Sequence, residues 1–394
     1  MLSSLIVFAE ATTNAVAAAP SPNDVIGAEK LLRDAEHPLV IVGGSRWDDD
    51  ARDLLERFAE ASQLPIACAF RYQDIFDNRH ANYAGDVGIG INPKLAARVR
   101  DADVLLVIGE RLGETMTAGY TLLDVPVPKQ TLIHVHPGAD ELGRVYQPAL
   151  AVAATPGAFL RAIDAAGCRA RVANGGAASE HAEYDAWRAP RPVPGAVDLW
   201  RIVQWLDERL PDDTIMTNGA GNFATWMHRV FRYGGKRRQL APYSGSMGYG
   251  VPAAVAAKAL QPQRTVVSWN GDGCFLMNGQ ELATAVQYGL AVVFVVVDNG
   301  MYGTIRMHQE REYPGRVSGT DLLNPDFAQL ARAYGAHGET IVATDQFAPA
   351  FERALAARGP ALLHVKIDPQ ALTMSATLDE LRAQGREKQR RAPV

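Results

Sequence analysis

Gly271-Asp272-Gly273-Cys274-Phe275 leads through a helical stretch into the apolar run Ala291-Val292-Val293-Phe294-Val295-Val296-Val297, which stops at Asp298-Asn299-Gly300. Upstream lies another apolar segment, Thr265-Val266-Val267-Ser268-Trp269. A strand, a glycine turn, a helix and an uninterrupted buried strand describe a βαβ crossover, the unit of a parallel sheet covered on both faces. The polar residues fall where the strands end. A carboxylate follows one strand and a carboxamide the next, so two oxygen donors stand on neighbouring strand tips, flanked by glycine-rich backbone. That set suits a hard cation that holds a phosphate. A plain βα turn draws on the same residue types, and a lone Gly-Asp-Gly would favour it.

The same alternation extends in both directions. Pro38-Leu39-Val40-Ile41-Val42-Gly43-Gly44 reads as a buried strand ending in a glycine turn. Asp48 to Ala61 follows as a helix with Leu54, Leu55 and Phe58 on one face. Pro65-Ile66-Ala67-Cys68 is a second strand, Asn92 to Asp101 a helix, Asp103 to Gly109 a third strand and Thr131 to His136 a fourth. After the helix Val197 to Leu210, strands are expected at Thr214 to Thr217, Thr265 to Trp269, Ala291 to Val297 and Ala361 to Ile367. The fold class is therefore α/β, with two doubly wound parallel-sheet domains. Between them, residues 169–194 are poor in apolar side chains and end in Ala189-Pro190-Arg191-Pro192-Val193-Pro194, the character of a connector. The domains then span residues 21–168 and 195–370, with residues 1–20 as a leading linker. Residues 371–394 form either a loosely held tail or a short covering helix.

Bulk properties exclude several classes. The 394 residues are too many for one ordinary core, and 47% hydrophobic with 21% charged residues is a globular balance. A net charge of −5 offers no field for nucleic acid. No apolar run is long enough to span a membrane, and Glu10 interrupts the Ala-rich N-terminal stretch where a signal peptide would be apolar. Cys68, Cys168 and Cys274 are far apart and form no CxxC, which points to a reducing, cytoplasmic setting.

Three segments together carry a family resemblance. Gly271-Asp272-Gly273 is followed by Glu281-Leu282-Ala283-Thr284-Ala285 and then by Asn299. Ser244-Gly245-Ser246-Met247-Gly248-Tyr249-Gly250-Val251-Pro252 precedes them, and Asn218-Gly219-Ala220-Gly221-Asn222-Phe223 lies further upstream. This set resembles the thiamine diphosphate (ThDP) enzymes of the acetolactate synthase and pyruvate decarboxylase superfamily. The resemblance implies ThDP with Mg2+. Asp272, Asn299 and the backbone carbonyl of Met301 would be the metal ligands. Gly273, Cys274, Tyr302 and Gly303 would flank the diphosphate, and Gly221 and Asn222 would meet its far end. Gly245 and Met247 belong to the segment that supports the bent cofactor, with Met247 as the wedge between its rings and the one residue with a catalytic role. A core methionine and an Asn-capped helix start are the plain alternatives for Met247 and Asn222. Asp298 stands where the family often has Asn.

By the same resemblance, residues 21–168 are the family's central domain and residues 195–370 its diphosphate-binding domain. The N-terminal pyrimidine-binding domain is missing, residues 1–20 being the remnant of the linker that follows it. A fragment, half of a split enzyme and a non-catalytic module are the three explanations, of which a fragment is favoured. The implied reaction is decarboxylation and carboligation of 2-oxo acids. Acetolactate synthase comes first, with enzymes similar to benzoylformate decarboxylase or benzaldehyde lyase as alternatives. The expected partners are a small 2-oxo acid and either further copies of the chain or a separate pyrimidine-binding chain. FAD is poorly supported. The family's FDDR-like segment reads Gly109-Glu110-Arg111-Leu112-Gly113-Glu114-Thr115-Met116-Thr117, where Arg111 fits and the acidic pair does not. His308 and Glu310 lie beyond the cofactor loop, as general-base candidates or as part of a solvated helix. His134 and His136 share a strand face without a third ligand.

Overall fold

The computed structural model describes residues 17–170 and 176–391. Most of the expected leading linker, part of the connector and the last tail residues lie outside this range. Two six-stranded sheets account for the architecture, and every strand pairing recorded in them is parallel. The first contains β1 (Leu39–Val42), β2 (Ile66–Ala69), β3 (Tyr83–Val87), β4 (Val104–Ile108), β5 (Thr131–His136) and β6 (Leu150–Ala153) in the order β3-β2-β1-β4-β5-β6. The second contains β7 (Ile215–Asn218), β8 (Arg238–Leu240), β9 (Val266–Gly271), β10 (Val292–Asp298), β11 (His337–Ile341) and β12 (Ala361–Lys366) in the order β11-β12-β10-β9-β7-β8.

Both sheets are buried on both faces, as the apolar strands require. Along β10, Val292, Phe294 and Val296 join one core cluster while Val293, Val295 and Val297 join the other. Alternate side chains of a strand point to opposite faces, so each valine run feeds two layers of helices. The order in which strands are added reverses between β1 and β4 in the first sheet and between β7 and β9 in the second. Such switch points open a crevice at the carboxyl ends of the strands.

The two units meet through a compact polar seam. Asn78 N donates to the carbonyl of Tyr233 at 2.9 Å, and Tyr233 N donates to Asn78 Oδ1 at 2.9 Å. Gln73 Nε2 donates to the His228 carbonyl at 3.2 Å, and Tyr243 donates its hydroxyl to Glu110 Oε1 at 2.6 Å. Gly234 (φ +106°) packs so closely on the Asp77 backbone that a Cβ there would collide with it.

One part differs from the plain sequence reading, and the structure decides another that it left open. The connector holds a helix, Gly176–Trp187, which buries only Ala177 and Tyr184 and so leaves little apolar signature. Arg98 Nε to Glu180 at 2.8 Å and His181 Nδ1 to the Tyr83 carbonyl at 2.9 Å fix it on the first unit. Of the two alternatives for the tail, the covering helix is the one formed, over Leu378–Arg391, with Leu378 and Leu381 packed beside Met301 and Leu372.

Glu310 anchors that tail helix. It is neither a solvated residue nor a base facing the cavity, because its carboxylate is buried and fully engaged. Arg382 reaches both oxygens at 2.9 and 3.0 Å, Arg306 Nε donates at 2.9 Å and Gly315 N at 2.8 Å. His308 is exposed on the same helix, Gly303–Glu312. Burial alone would raise the Glu310 carboxyl, but Arg382, the Gly315 amide and Arg306 together hold it down at about 2. A depressed carboxylate stabilises the fold fully above its unfolded value of about 4.3 and loses that contribution as pH falls toward its folded value. Protection of the amides of residues 378–391, measured against the intrinsic exchange rate at each pH, is therefore expected to fall between about pH 4.5 and 2. Glu310→Gln should expose the same amides already at pH 7. A variant with the wild-type exchange profile would contradict the clamp.

Candidate active site

The second sheet's switch point opens into a cavity of about 350 Å3 at the carboxyl ends of β7, β9 and β10. Gly221, Asn222, Gly245, Met247, Asp272, Gly273, Cys274, Asn299, Met301, Tyr302 and Gly303 all line it. These segments are distant in sequence and arrive together because three parallel strands end on one edge.

Register explains the acidic corner. Gly271 of β9 pairs with Val297 of β10, which sets Asp272 level with Asp298 and one step from Asn299. Asp272 Oδ2 accepts from Gly300 N at 3.0 Å and from Asn324 Nδ2 at 2.8 Å, while its Oδ1 accepts from Gly273 N at 2.8 Å. Asn299 Oδ1 accepts from Met301 N at 3.2 Å across the turn that Gly300 makes with φ +69°. Asp298 shares two of those donors, Gly300 N at 2.9 Å and Asn324 Nδ2 at 2.7 Å, and also takes His364 Nε2 at 2.7 Å.

The two carboxylates diverge for a physical reason. Burial pushes Asp272 up to about 6, and neighbouring Asp298 adds to that against the Gly273 and Asn324 hydrogen bonds. Burial also acts upward on Asp298, but His364, Asn324 and Gly300 N outweigh it and hold the group below its ordinary value. Negative charge is thus concentrated in a partly dry corner of a cavity that Asn299 and Met301 also line, and the Asn299 side chain and the Met301 backbone would add neutral oxygens to it. An all-oxygen set of this kind fits Mg2+. Asp298, the residue where the family often has Asn, is absorbed by His364 rather than left facing the cavity.

Glycines shape the rest of the cradle. A Cβ on Gly271 would lie 2.5 Å from the Phe223 ring, and one on Gly273 would lie 2.6 Å from the Tyr302 ring. Bare backbone amides are what a diphosphate requires, so the residues present fit the group. Cys274 is buried, with Gly248 N donating to its sulfur at 3.1 Å. Asn222 is not a helix cap. Its side chain accepts from Thr304 Oγ1 at 3.0 Å and donates to the Leu372 carbonyl at 3.2 Å, tying the turn after β7 to the tail. Met247 is no core residue, being 39% exposed at the cavity rim.

Sequence reasoning missed the wall contributed by the first unit. Phe70, Arg71 and Ile89 line the cavity from there, with His228 of the second unit beside them. Nothing local in the sequence marks these residues, since only packing between the units brings them to the cavity.

The first sheet's switch point does not fit a dinucleotide. Glu110 follows β4, is buried, and accepts from Tyr243 at 2.6 Å. The amides of Gly44 and Arg111 also face its carboxylate. A Cβ on Gly43 would strike this side chain, so Glu110 fills the turn where a diphosphate would sit. FAD therefore has no cradle at this crevice. His134 is occupied nearby, its Nε2 bonded to the Glu110 carbonyl at 2.8 Å.

Comparison with known proteins agrees with this layout. Residues 25–163 match the family described as thiamine pyrophosphate enzyme, central domain, and residues 219–365 match thiamine pyrophosphate enzyme, C-terminal TPP binding domain. Acetolactate synthase isozyme 2 large subunit of Escherichia coli (strain K12) is 29% identical over 351 residues, covering 88% of this chain and 62% of the relative. A probable acetolactate synthase large subunit of Methanocaldococcus jannaschii is 30% identical over 366 residues, covering 90% and 61%. Sulfoacetaldehyde acetyltransferase of Castellaniella defragrans is 28% identical over 358 residues, covering 84% and 60%. The chain thus spans about three-fifths of the length of these relatives. Two adjoining domains of one enzyme family, matched in order, cover the first sheet, most of the second and most of the cavity lining: the chain belongs to the thiamine pyrophosphate enzymes.

Proposed function

We propose that this chain carries the diphosphate- and metal-binding part of a ThDP- and Mg2+-dependent enzyme that decarboxylates a 2-oxo acid and joins the remainder to a second carbonyl compound. The acetolactate synthase-like form of that reaction converts two pyruvates to 2-acetolactate and CO2. The observation that carries the reading is that Asp272, Asn299 and Met301 line one cavity together with Met247. When bound, the cofactor supplies an electron sink for loss of CO2.

The chain's own residues do the rest. Asp272, the Asn299 amide and the Met301 carbonyl hold the cation, and the glycine-flanked amides of the turns after β7 and β9 receive phosphate oxygens. Met247 would offer the bound cofactor a polarizable, flexible thioether. Phe70, Phe223, Ile305 and Leu372 make the wall largely apolar, which keeps water from the reacting carbon. Met247 and Ile89 are exposed where they line the cavity, and there a pyrimidine-binding unit of a second copy or a separate chain would close the site.

Calorimetry tests the reading directly. The full chain titrated with ThDP should give saturable heat in the presence of Mg2+ and none after chelation by EDTA. Absence of binding with Mg2+ present would end the proposal.

A further inference from the structure

Arg71 is a buried cation without a counter-ion. It follows β2, takes a left-handed backbone (φ +69°) rare for a side chain of its size, and is only 8% exposed. Its Nη1 donates to the Pro242 carbonyl, its guanidinium lies 4.7 Å from the centre of the Phe70 ring, and its Nε has no partner. No carboxylate pairs with it among the described residues. It is also the one cationic side chain among the residues that line the cavity. His228 lines the same wall, 8% exposed, with neither ring nitrogen hydrogen-bonded.

An unpaired buried charge costs several kcal/mol, so such a group is kept where an anion comes to it. The anion must carry oxygens that a guanidinium can grip, as a carboxylate or a phosphate does. Two facts favour the carboxylate. The phosphate-suited corner of Asp272, Asn299 and the glycine turns is built by the second unit alone. Arg71 enters from the first unit, and its anchor, the Pro242 carbonyl, lies on the segment that leads to Met247, where the reacting end of the cofactor would rest. We propose that Arg71, with the imidazole of His228 beside it, receives the carboxylate of the 2-oxo acid bound in this cavity. Burial and the Arg71 charge push His228 down to about 3, so at neutral pH it offers one N–H and adds no second charge. Burial lowers Arg71 only to about 10, which leaves it cationic.

The inference deepens the proposed ThDP reading and can fail separately from it. The probe is oxamate, which keeps the carboxylate and carbonyl of pyruvate but does not decarboxylate. Its neutral counterpart is oxamide. The full chain, with and without ThDP and Mg2+, would be titrated with each and followed by tryptophan fluorescence, since Trp226 lines the cavity. Wild type should prefer oxamate. Arg71→Met should weaken oxamate by about tenfold or more, the loss of a charged hydrogen bond, while ThDP–Mg2+ affinity stays within about twofold. Arg71→Lys should recover part of the oxamate affinity and guards against misfolding of the methionine variant. Equal oxamate affinity in wild type and Arg71→Met would overturn the proposal. So would a loss confined to ThDP–Mg2+, which would give the cation to the diphosphate. Failure of wild type to bind ThDP–Mg2+ while oxamate binding still depends on Arg71 would sink the cofactor reading alone.

Discussion

Asp272→Ala is expected to weaken ThDP–Mg2+ binding by at least about a hundredfold, more than the loss typical for groups that merely orient metal ligands. The side chain is the only charged member of the proposed ligand set, and Asn299 and Met301 offer neutral oxygens. Its removal should not unfold the protein. Asp272 is held above its ordinary value by burial and by Asp298, so the empty fold bears an electrostatic cost there that alanine removes. The donors released, Gly273 N, Gly300 N and Asn324 Nδ2, are partly compensated because Asp298 accepts two of them already. The cofactor-free variant should thus melt no more than a few degrees from wild type, while calorimetry loses the ThDP heat. Undiminished ThDP affinity in a folded variant would remove Asp272 from the metal site.

Asp207→Ala should be the most damaging change outside the cavity. Asp207 lies on the helix Leu199–Arg209, and its carboxylate is almost fully buried. It accepts from Arg237 Nη1 at 2.9 Å, from Arg232 Nε at 2.7 Å and from Arg232 N at 3.0 Å, with Arg188 at 3.6 Å. Arg237 is itself only 2% exposed and is otherwise held by backbone carbonyls and the exposed Asp212. Alanine leaves an interior guanidinium with little to balance it, and breaking a buried pair in this way costs about 3–5 kcal/mol. For a unit of this size that corresponds to a fall of roughly 10 °C in Tm. Asp207→Asn keeps the shape and some acceptor capacity and should cost less. A Tm for the alanine variant close to wild type would show that water reaches Arg237.

The strands that could be read from sequence share one property. The eight expected strands, including β1, β4, β9 and β10, are the inner ones, and the four unforeseen ones, β3, β6, β8 and β11, are the edges of the two sheets. An inner strand is covered on both faces and flanked on both sides, so it becomes an unbroken apolar run such as Val292 to Val297. An edge strand has one neighbour and partial cover. Tyr83-Ala84-Gly85-Asp86-Val87 and His337-Gly338-Glu339-Thr340-Ile341 accordingly mix polar, small and apolar residues, and Arg238-Gln239-Leu240 is too short to show a period. A similar division holds at the cavity. Glycine turns at strand ends have fixed local spacing and were readable. Arg71, His228 and the Asp298–Asn324–His364 cluster arise from contacts between segments 26 to 171 residues apart, which no local window contains.

Glu110 gives the first unit a permanent occupant. In a dinucleotide-binding domain, abundance and heat resistance follow the supply of the nucleotide, because ligand binding adds to folding free energy by mass action. Here the chain fills that crevice with its own side chain and ties it to Tyr243 across the seam. The unit should therefore be indifferent to flavin availability, and its melting curve should not move when FAD is added in excess. A domain of this lineage would then serve as a fixed buttress for its neighbour's chemistry, with its integrity uncoupled from vitamin status.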